Sequence, residues 1–263
     1  MSDNGFGLFD INACFGHWQY WDLCDSSSDD LIALMDGHGV ERAAVLSLRG
    51  VFLDWRQGNE ETLFAARRYP DRLVPFATVS PFLGGDGDAL HRAVDAGARG
   101  VRLFPSFHSY RLDSDFVDAI CTAAAQRGVP VMIPTRLMMN WRFVPVPVDS
   151  IGAITGAHPE TTFILSGPNY LVEYQALVRL MKRCPNVSYE FSCMQGFNAI
   201  GKLVAEVGVE RILFGTGAVL NYPACNVAKL QHAEITPEQR TAIASGNAER
   251  LLGINAASEP RNS

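Results

Sequence analysis

Positive charge is missing from the first 41 residues of the chain. Arg42 is the first Lys or Arg, and eight acidic residues precede it. A secretory signal needs a basic n-region before an apolar core, and a mitochondrial transit peptide needs arginines and few acids, so neither is expected. Long apolar runs are missing as well. None reaches the ~18 residues that span a bilayer, so no membrane helix is expected. The six cysteines (14, 24, 121, 184, 193 and 225) form no CxxC pair and no dense cluster. That spacing speaks against zinc knuckles and a disulfide framework, and for reduced thiols in a cytoplasmic protein. The six histidines contain no HxH, HxxH or HxxxH pair. A basic face is not expected either, because the net charge is −6, and nucleic-acid and anionic-membrane partners are therefore not expected.

What is present is a large apolar fraction, 48% of 263 residues, which excludes whole-chain disorder. Short apolar runs suited to buried strands recur at 7–12, 43–48, 73–79, 100–104, 129–133, 162–165, 187–191 and 211–215. The stretches between them read as helices. Asp115–Gln126 is apolar at helical spacing and stops at Gly128. Thr236-Pro237-Glu238-Gln239 carries an N-cap residue, a proline at N1 and an acid in the first turn. Eight strands alternating with helices in this length imply an α/β fold, a single (β/α)8 TIM-barrel domain over 1–263 with its core at about 8–254. A doubly wound sheet is the alternative, but no GxGxxG follows the first strand. The proline-rich stretch 142–148 reads as a loop over the barrel mouth.

Several strand ends carry a resemblance. Phe9-Asp10-Ile11-Asn12-Ala13-Cys14-Phe15-Gly16 is similar to the first strand of the amidohydrolase-related family of metal-dependent hydrolases, usually Asp-x-His-x-His-x-Gly. Gly100–Pro105 with Tyr110, Leu112 and Asp113 resembles that family's fourth strand and loop. Val129–Thr135 resembles its fifth strand, Arg211–Gly217 its eighth, and Ser245–Gly253 its C-terminal Gly-Asn-Ala-x-Arg-Leu motif. The resemblance implies a TIM barrel with a divalent metal held by two histidines after strand one, one each after strands five and six, and an aspartate after strand eight. At those places this chain has Asn12, Cys14, Pro134, Gly167 and Gly217. Zinc needs three or four N, O or S donors converging near ~2 Å, and this set does not supply them. Neither a metal nor any other cofactor is therefore expected.

Other polar residues remain at the strand ends. Arg49, Arg102 and Arg136 would form an anion pocket if they converged, because guanidinium forks match carboxylates. Glu190, between Tyr189 and Phe191, is a carboxylate in an apolar strand. It has either a raised pKa suited to acid–base work or an arginine partner across the barrel. His108 and Tyr110 are candidate proton donors beside it. His17 and Trp18 fit a rim that covers a flat substrate, and Asn12, Asn169, Asn221 and Tyr222 are further polar contacts. Cys14 reads as a filler of the space a metal leaves, or as a thiol nucleophile with His17 as its base.

The expected function is a metal-independent, amidohydrolase-like enzyme acting on a small, anionic, ring-containing substrate. Its reaction is hydrolysis of an activated acyl bond, or decarboxylation, dehydration or cyclisation run on proton transfer. The alternative is a non-catalytic barrel serving as a ligand-binding or subunit-contact module. Buried Glu190, His108 and Arg102 on one cavity favour the enzyme; a mouth plugged by Phe104, Phe107 and Trp141 favours the alternative. The only partner expected is a small molecule, with homo-oligomerisation left open.

Overall fold

The computed structural model describes residues 6–20, 26–138 and 144–254. All eight expected strands form, in chain order: β1 Leu8–Phe15, β2 Val40–Ser47, β3 Leu73–Thr78, β4 Gly100–Arg102, β5 Val131–Pro134, β6 Phe163–Ser166, β7 Val187–Glu190 and β8 Ile212–Leu213. Each pairs in parallel with the next. Closure comes from Ile11 N donating to Phe214 O at 3.0 Å and Gly217 N donating to Asn12 O at 2.8 Å. The fold is a single-domain (β/α)8 barrel.

The helices are α1 Ser28–His38, α2 Arg49–Phe52, α3 Trp55–Arg68, α4 Gly87–Asp95, α5 Asp115–Arg127, α6 Val148–Ala157, α7 Tyr174–Arg183, α8 Ala199–Val207, α9 Pro223–Gln231, α10 Pro237–Thr241 and α11 Asn247–Leu252, with a π turn at Ala242–Gly246. Local chemistry sets their ends. Ser27 and Asp30 cap each other reciprocally at the start of α1, and Thr236 and Gln239 do so at α10. Gly128 ends α5 in the left-handed region at φ 61°, which a glycine enters without Cβ strain.

Side-chain alternation sorts the barrel into layers. Ile133, Phe163, Leu165, Val187 and Tyr189 pack outward under the helices. Ala44, Val74, Phe76, Met132, Ile164 and Leu213 build an apolar floor, which Ala248 and Leu252 of α11 join. At the C-terminal strand ends a third cluster forms from Cys14, Trp18, Leu46, Leu48, Val51, Phe104 and Leu220. A polar layer lies between floor and mouth. The β1–β2 pairing is irregular between Asp10 and Ala13, and there Asp10 and Asn12 both find polar partners.

Candidate functional site

Glu190 ends β7, is fully buried, and collects donors from three strand ends. Its Oε2 accepts from Asn12 Nδ2 at 2.8 Å, Ser166 Oγ at 2.7 Å and Ser192 Oγ at 3.0 Å. Its Oε1 accepts from the Ser192 backbone N–H in a short contact. Glycine makes room for this carboxyl, since a Cβ on Gly215 would overlap it. Burial pushes the Glu190 pKa up, while the Ser166 and Ser192 hydrogen bonds pull it back.

Asp10 is the second buried carboxyl. It accepts from the backbone N–H groups of Thr216 and Asn12, each at 2.9 Å, and from the Thr216 hydroxyl. Burial raises its pKa too. The Arg102 guanidinium interacts with both. Arg102 donates to Asn12 Oδ1 at 3.1 Å and to the carbonyls of Ala13, Ile11 and Ala44 at 3.0, 3.1 and 2.7 Å. Burial draws its pKa down to about 10. Two buried carboxyls beside one buried guanidinium are a costly charge set, and desolvation favours the neutral form of each carboxyl.

This geometry corrects the expected anion pocket: the three arginines do not converge. The guanidinium of Arg102 is spent on β1 and β2 carbonyls. Arg49 begins α2, is 42% exposed, and pairs with Glu61 at 2.8 Å and Gln57 at 2.6 Å. Arg136 alone stays at the mouth, held by Glu173 through two bonds of 2.8 and 2.9 Å. The Glu190–Arg bridge is also indirect, because the Asn12 amide stands between the two, accepting from one and donating to the other.

Nor do Glu190, His108 and Tyr110 share a cavity. His108 Nε2 lies 3.2 and 3.1 Å from the carbonyls of Gly50 and Val51, so the ring closes the β2 loop rather than the barrel axis. Burial lowers its pKa. Tyr110 packs on Phe116 at 5.0 Å between ring centroids, and burial pushes its phenol well up. These two side chains line separate cavities on either side of the β4–α5 loop.

The mouth is apolar. Trp18 is 2% exposed and meets Tyr20 and Phe52 edge-on at 5.4 and 5.2 Å, while Phe107 touches Phe52 and Phe104. Among the described residues, Trp18, Phe104, Phe107, Thr135, Arg136 and Met138 enclose about 20 Å³, enough for one water and too little for a ring. The Thr135 hydroxyl lies buried there without a hydrogen-bond partner. Val144 of the proline-rich stretch reaches this mouth, while residues 142 and 143 and Trp141 fall outside the described residues.

Cys14 sits in the mouth cluster, its thiol raised to about 11 by burial. The neutral thiol supports the space-filling reading over the nucleophile, and His17 is exposed. Asn169 is spent on its own loop, accepting from Leu171 and Val172 N–H groups at 3.1 Å and donating its N–H to Glu173 at 3.0 Å. Tyr222 points outward at 82% exposure, and Asn221 lies half-buried against Gly217.

The residues missed by sequence reading are Asp10, Ser166, Ser192 and Thr216. Asp10 had a signal, since it heads the Asp-x-Asn-x-Cys run. Ser166 had a weaker one as the polar end of Phe163-Ile164-Leu165-Ser166.

The residues at the metal-ligand positions do not fit a metal. A Cβ on Gly167 would overlap Thr135 Oγ1, a Cβ on Gly217 would overlap Asn221, and Pro134 offers no donor. Asn12 already binds Arg102 and Glu190. Among the described residues, no group of three or more His, Cys, Asp or Glu side chains gathers closely enough to hold an ion.

A parallel barrel with its polar residues at the C-terminal strand ends defines the architecture of the TIM-barrel enzymes. The chain belongs to the Amidohydrolase family, whose profile matches residues 14–254. Similar solved structures include 2,6-dihydroxybenzoate decarboxylase from Rhizobium, at 18% identity and TM-score 0.70 over 94% of this chain and 99% of that one. A dihydroxybenzoic acid decarboxylase from Polaromonas sp., with bound manganese and 2-nitroresorcinol, is 16% identical at TM-score 0.73 over 96% and 98%. The 5-carboxyvanillate decarboxylase of Sphingomonas paucimobilis is 13% identical at TM-score 0.72 over 95% and 100%. No curated protein sequence matches the chain.

Proposed function

We propose that this chain is a metal-independent enzyme of the Amidohydrolase family that acts on a small, ring-containing carboxylate by proton transfer, with decarboxylation as the reaction. The observation that carries this reading is Glu190: a fully buried carboxyl at a strand C-terminus, with hydroxyl partners that can support either protonation state. A hydroxyl donates to a carboxylate and, turned round, accepts from the acid. The names of the three similar structures given above, each a decarboxylase of an aromatic acid, favour this reaction over hydrolysis, although a putative amidohydrolase from Staphylococcus aureus is similar as well. The five described cysteines are free, in keeping with a reducing cytoplasm.

The proposed chemistry needs no Lewis acid. The ring enters between Trp18, Phe104 and Phe107 once their side chains part, and Arg136 turns part of its guanidinium from Glu173 to hold the carboxylate. Glu190, relayed by Ser192 or Ser166, gives its proton to the ring carbon that bears the carboxylate; the C–C bond breaks, carbon dioxide leaves, and water restores the proton. Half-buried Asn12 orients the acid below the ring and ties it to Arg102.

The apolar seal of the mouth favours a second reading, a barrel that binds a ligand or a subunit without turnover. Metal content and turnover of a panel of hydroxybenzoates, before and after chelation, separate the two. Turnover that persists without metal and disappears in Glu190→Gln supports the enzyme. Stoichiometric metal with chelator-sensitive turnover sinks metal independence, and saturable binding with no turnover leaves the binding module.

A further inference from the structure

Lysine is rare in this chain: only Lys182, Lys202 and Lys229 occur. Lys182 pairs with Glu206 on the surface, and Lys202 bonds the Tyr170 hydroxyl at 3.1 Å. Lys229, on α9, differs from both. Its ammonium donates to the Ser192 carbonyl at 3.0 Å and to Asn226 Oδ1 at 2.9 Å, both neutral acceptors. No described carboxylate lies within ion-pair distance of it. An ammonium has three protons, so one remains for a further acceptor.

Lys229 lines a cavity of about 350 Å³ between the β7–α8 loop and α9. Met194, Phe197 and Ile200 supply apolar wall, and Asn198 and His232 stand at its edge. The Phe197 ring is 84% exposed, so its apolar face is open to a ligand. The Asn198 amide is already tied to Glu234, by Nδ2 to Oε2 at 2.7 Å and by Oδ1 to the backbone N–H at 3.0 Å, and beside Gln195 and His232 the lysine supplies the cavity's ammonium. Partial burial lowers the Lys229 pKa, and the Glu190 carboxylate, beyond ion-pair distance, pulls it partly back. The cavity opens beside the strand ends and does not include the aromatic mouth residues.

We propose that this cavity is a second binding site, taking a small monocarboxylate with a flat apolar body whose anion pairs with Lys229 and whose body lies on Phe197. The site does not rest on the decarboxylase reading, since its cavity is lined by residues other than those of the mouth, although Lys229 also donates to the carbonyl of Ser192, which holds Glu190. The partly desolvated ammonium makes a charge-assisted bond stronger than one in bulk water.

Calorimetric titration of the full chain with phenylacetate, and with phenylacetamide as its neutral isostere, tests the proposal. Saturable phenylacetate binding is expected, with phenylacetamide at least tenfold weaker. Lys229→Met, which keeps most of the stem volume, should weaken phenylacetate at least tenfold. Phe197→Ala, at a surface position that cannot unfold the barrel, should weaken it several-fold. Absence of saturable binding, equal affinity for acid and amide, or unchanged affinity in Phe197→Ala or in folded Lys229→Met overturns the proposal.

Discussion

Asn12 Nδ2 and Glu190 Oε2 meet at 2.8 Å although 178 residues separate them in the chain. Their orientation is settled by Arg102, whose guanidinium claims the Asn12 carbonyl oxygen and so turns the amide N–H group toward the carboxyl. Glutamine at 190 cannot replace this acid cleanly. With its carbonyl oxygen on the Ser192 N–H, its amide nitrogen would face the Asn12 amide nitrogen, donor against donor. Glu190→Gln is expected to lose turnover and about 1–3 kcal/mol of stability, the cost of an unmatched buried donor. Chemical denaturation together with the hydroxybenzoate assay measures both.

The same residue makes stability depend on pH. Its folded-state pKa lies above the ordinary 4.5, so its stabilising contribution is fully present below about pH 4.5 and is lost as pH rises through the folded value. Asp10 is displaced in the same direction from 3.8. The wild-type unfolding free energy should therefore carry a downward component as pH rises above 4.5. Glu190→Gln should remove part of that slope. A slope identical in both proteins would remove Glu190 from the titration.

Gly215 supports the same carboxyl by having no side chain. Gly215→Ala places a methyl group on the Glu190 carboxyl. Since the carboxyl is enclosed by Asn12, Ser166 and Ser192, it has little freedom to yield. The expected loss is about 1–3 kcal/mol, the usual cost of overpacking, with turnover reduced alongside. An unchanged melting temperature would contradict the packing described here.

Arg102→Met should be the most damaging single change in the barrel. It strips hydrogen bonds from three carbonyls and from Asn12, and it removes the guanidinium that interacts with both Asp10 and Glu190. About 3–5 kcal/mol is expected, the range for removing one partner of a buried charge network. A melting temperature within a degree or two of wild type would show that the strut carries little.

Restoring histidines on β1 alone should not restore a metal. In Asn12→His combined with Cys14→His, two imidazoles face Pro134, Gly167 and Gly217, none of which can ligate. Elemental analysis after dialysis against zinc should find well under one zinc per chain. One tightly held zinc per chain would mean that another donor set completes the site.

The eight strands were legible because each is a short apolar run, with caps such as Gly128 and Thr236 marking the ends of the helices between them. The side-chain chemistry of Pro134, Gly167 and Gly217 was legible too, since proline and glycine offer no side-chain donor. The arginines were not. Arg49, Arg102 and Arg136 all stand at strand ends, and sequence position does not reveal whether so long and flexible a side chain points at a ligand, at Glu61 or at backbone carbonyls.

By itself, then, the sequence determined the barrel, because periodicity and residue type are local properties. Only the tertiary structure decided that Arg102 is a strut, that His108 and Tyr110 face other cavities, and that the mouth is sealed by Trp18, Phe104 and Phe107. It also placed Glu190 under Asn12 and Lys229 over an open cavity. Partners drawn from β1, β4, β6, β7 and α9 meet only when the sheet closes, and the direction of a side chain at the barrel mouth depends on which neighbour reaches it first.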